Sequence, residues 1–120
     1  MTADLTMSEE DLLGVVLDMA ATYGIRTVHF RAAKTAQGWR TPVQGDGKGW
    51  PDLVLVGPGG ALFRELKSHA GRPTGEQEAW LVALDRAGLS ADVWRPADLR
   101  SGRILAELRA IRKAAGAVGR

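Results

Sequence analysis

Residues 50 to 67, WPDLVLVGPGGALFRELK, leave the chain few options. Two short apolar runs, Leu53 to Val56 and Ala61 to Leu66, flank the turn residues Gly57, Pro58, Gly59 and Gly60, which predicts a hairpin with a four-residue loop. Setting Val56 opposite Ala61 sets Asp52 opposite Glu65. Directly opposed residues point to one face of a two-stranded ladder, with Cβ atoms roughly 5 Å apart. Lys67 lies two positions after Glu65, so it shares that face and sits diagonally across from Asp52. Opposed carboxylates repel each other unless positive charge lies between them. A divalent metal ion with an ammonium beside it would supply that charge. An ordinary surface ion pair between Glu65 and Lys67 is the plainer alternative, worth only about 0–1 kcal/mol. It leaves Asp52 facing Glu65 without a reason.

Elements on either side frame this hairpin. Residues 1–7 read as a flexible lead-in, residues 8–113 as one domain, and residues 114–120 as a flexible basic tail. Ser8 is a good N-cap, with Glu9, Glu10 and Asp11 in the first turn to complement the helix dipole. Leu12, Leu13, Val16, Leu17 and Ala20 recur at helical spacing, and Gly24 ends that helix at Tyr23. Arg26 to Arg31 alternates enough for a first strand. Residues 32–49 have no clear period and carry Gly38, Pro42, Gly45, Gly47 and Gly49. A structureless stretch of that length in a small domain is commonly a functional loop or a disordered one. Beyond the hairpin, Thr74 with Gln77 three later is a capping-box signature. Trp80, Leu81, Leu84 and Gly88 form one helical face. Gln77 lies a turn before Leu81 on that face, so capping and a role at the sheet compete for its single amide.

Ala91 to Trp94 is the last strand, and Pro96 discourages its continuation. Asp98 or Ser101 caps a final helix with the stripe Ile104, Leu105, Leu108 and Ile111, which is either core or a surface for a partner subunit. The order α-β-ββ-α-β-α implies an α/β sandwich with a mixed sheet, because the helix after Thr74 can cross between neighbouring strands.

Composition narrows the function classes. A chain of 120 residues suits one core, and the absence of cysteine excludes disulfides and thiolate metal sites while fitting a cytoplasmic protein. No apolar run approaches the ~18 residues of a membrane span, so no membrane partner is expected. The net charge of +2 is too small to argue for nucleic acid by itself. Its distribution says more, since Arg103, Arg109, Arg112, Lys113 and Arg120 face the single acid Glu107 near the C-terminus. Lys34, Trp39, Arg40 and Lys48 in the long loop suit a strap over a phosphate backbone or an exposed base. The plainer alternative is a solvated loop. The glycines GDGKG do not make a Walker loop, because no strand leads into them and no G-K-[ST] follows.

Pro51-Asp52 followed by Glu65-Leu66-Lys67 resembles the PD-(D/E)xK signature of the restriction-endonuclease-like nucleases. The stretch HFRAAKTAQGWRTPVQGDGKGWPDLVLVGPGG, the run ELKSHAGRPTGEQEAWL and the ending VWRP resemble the virus-type replication-repair nuclease (VRR-NUC) branch over roughly residues 8–98. That resemblance implies a restriction-endonuclease-like αβββαβ core with a mixed central sheet flanked by helices, plus a C-terminal helix. It implies a Mg²⁺- or Mn²⁺-dependent, structure-selective DNA endonuclease, phage-encoded or bacterial, acting on branched or junction DNA. Asp52, Glu65, Lys67 and Gln77 match its catalytic positions, and the Leu66 carbonyl joins the two carboxylates as a metal ligand. Glu9 matches an acid on the family's first helix that joins the metal cluster, with Glu10 and Asp11 as alternatives. His29, Arg31 and Arg72 join Lys34, Trp39, Arg40 and Lys48 as expected nucleic-acid contacts. A lone histidine such as His29 is more often a satisfied core or edge residue. A homodimer is expected, because symmetric cutting of a junction needs two sites. A non-cutting nucleic-acid-binding module on the same fold, or a partner-dependent subunit, is the alternative.

Overall fold

The computed structural model describes residues 5–30, 33–35, 38–40 and 45–113, with the backbone alone for 33–35 and 38–40. Helix α1 (Glu9–Thr22) starts from Ser8, whose hydroxyl accepts the Asp11 N–H while the Asp11 carboxylate accepts the Ser8 N–H. Gly24, at φ 69°, turns the chain out of the helix into strand β1 (Arg26–His29). Strands β4 (Leu53–Gly57) and β5 (Gly60–Leu66) form the expected antiparallel hairpin, with Val56 opposite Ala61. Gly57 also pairs with Gly60, so the loop is the two residues Pro58 and Gly59 rather than four. After β5, helix α2 (Gly75–Arg86) crosses to β6 (Ser90–Trp94), which runs parallel to β5. The result is an α/β fold with a four-stranded mixed sheet, ordered β1-β4-β5-β6 and flanked by helices.

Register assigns the two sheet faces. Leu53, Leu55, Leu62, Leu66 and Trp94 fall on one face and are buried there against Leu12, Val16 and Ala20 of α1. Ile104, Leu108 and Ile111 close the same core from α4 (Arg103–Arg112). Each such side chain contributes roughly 1.5–3 kcal/mol through burial. On the other face Val28, Val54, Phe63 and Ala91 form a row across the four strands, and Glu65 follows Phe63 by two residues. The acid pair thus stands on the face that α1 and α4 leave uncovered.

Several elements differ from expectation. Residues 32–49 are not wholly irregular: β2 (Ala33–Thr35) and β3 (Gly38–Arg40) form a two-stranded ladder. The C-terminal helix is two helices, because Pro96 opens a short one, α3 (Pro96–Arg100), as well as ending β6. Asp98 accepts the Arg95 N–H at the start of α3, and the Ser101 hydroxyl accepts the Arg103 N–H at the start of α4. In the lead-in, Met7 packs against the core. The stripe Ile104, Leu108 and Ile111 is consumed by this chain's own core, with Leu105 half-buried beside it, and Trp94 is fully buried. Ile104, Leu108 and Ile111 therefore offer no surface to a partner subunit. Residues 1–4 of the lead-in and the tail 114–120 lie outside the described residues.

Arg64 is buried on the core face, a feature the hairpin pattern gives no hint of. Its guanidinium donates to Glu107 Oε1 at 2.8 Å, to the Ser90 carbonyl at 2.8 Å and to Ser90 Oγ at 3.0 Å, and it stacks over Trp94. Trp94 Nε1 donates to the same Glu107 oxygen at 2.9 Å, and Arg103 takes the other oxygen at 2.7 Å. Burial works against the Glu107 charge, yet Arg64, Arg103 and Trp94 together hold its pKa below the ordinary value. Through this network α4 is fixed to β5 and β6.

Candidate functional site

Asp52 lies immediately before β4, and its main-chain carbonyl accepts the Phe30 N–H at 2.8 Å, which fastens it beside the end of β1. Its side-chain Oδ1 accepts the Leu66 N–H across the hairpin at 3.3 Å. Glu65, 2% exposed, reaches the same place from β5. Lys67 Nζ lies 3.4 Å from Glu65 Oε2, and Gln77 Nε2 donates to that oxygen at 3.0 Å. The expected quartet of Asp52, Glu65, Lys67 and Gln77 is therefore brought together at one end of the sheet face opposite α1 and α4.

The competition foreseen for the Gln77 amide does not arise. Gln77 Oε1 accepts the Thr74 N–H at 2.8 Å and completes the capping box, while Nε2 is left for Glu65. A backbone N–H can only donate, so the cap fixes which end of the amide faces the carboxylate. One residue starts the helix and orients the acid.

Electrostatics set this cluster apart. Burial, followed by the Glu65 charge, pushes the Asp52 carboxyl up to about 7, against the Leu66 N–H and Lys67, which favour the ion. Burial also raises Glu65, with Lys67 opposing it. Among the described residues, the buried side-chain polar atoms without a hydrogen-bond partner are Glu65 Oε1 and Trp50 Nε1, both at this end of the sheet. A buried carboxylate oxygen without a donor fits a place where a cation belongs. Two carboxylates and the neighbouring Leu66 carbonyl are hard oxygen donors of the kind Mg²⁺ and Mn²⁺ take. Glu9 is exposed on the first turn of α1, and its charge raises both Asp52 and Glu65. Among the described residues no group of three or more His, Asp or Glu side chains is placed to hold a metal ion.

The loop leading to Asp52 is fastened to the helix carrying Gln77. Trp80 Nε1 donates to the Asp46 carbonyl at 3.1 Å, and Lys48 pairs with Glu76 at 3.1 Å. Trp50 packs edge-on against Trp80, Phe63 and Phe30, with ring centroids 5.0, 5.8 and 6.5 Å away. Gly49, at φ 86°, abuts the Glu76 backbone so closely that a Cβ would collide with it. Trp50 and Trp80 were not foreseen as supports of the site. The helical spacing of Trp80 from Gln77 was the available signal.

The expected nucleic-acid contacts are spread more widely. His29 is half-buried at the end of β1, opposite Leu53. Lys34 pairs with Trp39 in the β2–β3 ladder, and Arg40 pairs with Ala33. Lys48 is exposed apart from its pairing with Glu76, and Arg72 is exposed on the β5–α2 loop. Arg31 lies outside the described residues. Comparison with known proteins gives no match to a family model, to a curated protein or to a solved structure.

Proposed function

We propose that the chain is a Mg²⁺- or Mn²⁺-dependent DNA endonuclease of the VRR-NUC kind, hydrolysing phosphodiester bonds in branched or junction DNA. One observation carries this reading: two carboxylates are held together on the sheet face that Gln77 reaches, one of them with a buried oxygen that lacks a hydrogen-bond partner, beside a lysine and a glutamine. Two buried acids oppose folding unless positive charge offsets them, which Lys67 supplies in part and a metal ion would complete. Asp52, Glu65 and the Leu66 carbonyl would hold the ion. The ion supplies Lewis-acid polarisation of a phosphate oxygen and favours ionisation of the attacking water. Lys67 offers its ammonium to the water and to the charge that builds on the phosphate oxygens. Gln77, tied to the Thr74 cap, keeps Glu65 aimed. Two such chains, acting as a homodimer, would cut both strands of a junction.

The second reading is a non-cutting nucleic-acid-binding module, or a subunit completed by a partner. It draws on there being, among the described residues, no group of three or more His, Asp or Glu side chains placed to hold a metal ion. Labelled branched, flapped and linear DNA incubated with Mg²⁺, Mn²⁺ or EDTA separates the two. Cleavage of the branched substrates that needs metal, and that is lost in Asp52→Ala and Glu65→Ala, supports the nuclease. Tight binding without cleavage under any metal supports the alternative.

A further inference from the structure

Residues 68–74, SHAGRPT, join Lys67 to the cap of α2 without regular structure. They are shaped by one side chain. Arg95, just past β6, donates from Nη1 to the Ser68 carbonyl at 2.8 Å, the His69 carbonyl at 3.4 Å and the Gly71 carbonyl at 2.6 Å. A trans peptide points its N–H opposite to its C=O. Three carbonyls converging on one guanidinium therefore turn the N–H groups of His69, Ala70 and Arg72 away from it. Among the described residues none of those three N–H groups donates a hydrogen bond to backbone. The loop is thus polarised, with its acceptors taken up inside and its donors left over. Beside it lies a hollow of about 610 Å³ lined by His69, Ala70, Arg72, Glu78 and Arg95, with Gly71 and Pro73. Arg72 is exposed and has no ion-pair partner among the described residues.

We infer that this hollow binds a backbone phosphate of the nucleic acid that the acid pair of Asp52 and Glu65 takes. This rests on the nuclease reading. Two guanidiniums against the single Glu78 carboxylate leave a surplus of one positive charge, which matches a monoanionic phosphodiester. An exposed guanidinium edge at Arg72 suits phosphate oxygens better than an apolar ligand. The loop runs from Lys67 to Thr74, the residue that caps Gln77.

The test is fluorescence anisotropy of a labelled branched duplex in EDTA across a salt series, so that cleavage plays no part. Arg72→Ala should weaken binding about 3- to 10-fold and reduce the slope of log affinity against log salt by about one. Glu78→Gln, which removes a repelling charge from an exposed position, should tighten binding about 3-fold at low salt. A loss of fold cannot produce that gain. Wild-type affinity and slope in both variants, while the protein still binds DNA, would overturn the phosphate site and leave the nuclease reading standing. No binding by the wild-type protein at low salt would overturn both.

Discussion

At Asp52 burial and the Glu65 charge favour the neutral acid, so the pKa in the folded chain stands at about 7 against an ordinary value of 3.8. The folded state then binds more protons than the unfolded state between these two values, and stability falls as pH rises through that window. The penalty is complete above pH 7 and absent below the ordinary carboxylate pKa. Its size is of order 2–4 kcal/mol for a half-buried group. Asp52→Asn should therefore melt roughly 5–15 °C higher than wild type at pH 8 without metal, with the gap closing towards pH 4. Thermal melts at the two pH values check this, and parallel pH dependence in both proteins would contradict it. Mn²⁺ at pH 8 should raise the wild-type melting temperature and leave Asp52→Asn nearly unmoved. Lys67 calls for a different readout, because the proposed role of its ammonium is towards water and phosphate rather than the ion. Lys67→Ala should lower the cleavage rate at least about 100-fold with Mn²⁺ affinity changed only about 3-fold or less. Lys67→Arg should not restore the rate, since a guanidinium is wider and holds its proton near neutral pH. Single-turnover cleavage beside Mn²⁺ calorimetry separates these effects, and full activity in Lys67→Ala would remove the lysine from the mechanism.

Among the elements, the β4–β5 hairpin was the most legible. Its two apolar runs and the glycine turn give the register that carries Asp52 to Glu65, and Ser8 and Thr74 mark both helix starts by cap chemistry alone. Long-range contacts were not legible. Gly57 and Gly59 look like turn residues, yet each faces the end of α4, where an added Cβ would strike the Ile111 or Lys113 carbonyl, and the Gly59 N–H donates to Ile111 at 2.9 Å. Arg64 alternates within a strand like a solvent-facing residue but lies under Glu107, which is 43 residues away in the chain. Trp80 follows the helical period, while its bond to Asp46 spans 34 residues. No local pattern encodes such pairings. Two predictions follow from these contacts. Gly57→Ala should destabilise the fold by about 1–3 kcal/mol through overpacking against the helix end, without changing the rate of the molecules that remain folded. Chemical denaturation beside a specific-activity assay tests it, and unaltered stability would mean the helix end yields freely. Trp80→Ala should loosen the loop that carries Asp52 and weaken Mn²⁺ binding several-fold, while Trp80→Phe, which keeps the ring and loses the N–H, should recover part of it. Calorimetry in which Trp80→Ala binds Mn²⁺ like wild type would show that the aromatic contact does not position Asp52.

For the whole molecule, the geometry of a branched substrate decides what assembly is needed. Each chain carries one acid pair, and on the proposed nuclease reading one acid pair would cut one strand per encounter. Cutting two strands of a junction at symmetric points requires two pairs at a fixed separation, which a two-fold dimer supplies. Burial of Ile104, Leu108 and Ile111 inside one chain removes the helical stripe as that contact. Large apolar side chains still exposed include Val28 and Val56, 52% and 45% exposed, on the sheet face that also carries Glu65. A dimer built near that face would set two acid pairs towards one substrate. We expect light scattering at micromolar concentration to give twice the chain mass, and a four-way junction to be cut in both opposed strands within one bound complex. A monomer mass without DNA that doubles on a junction would move assembly onto the substrate and keep the paired-site requirement. Nicking of a single strand at saturating protein, with a monomer mass throughout, would reject paired cutting and leave a one-site nickase.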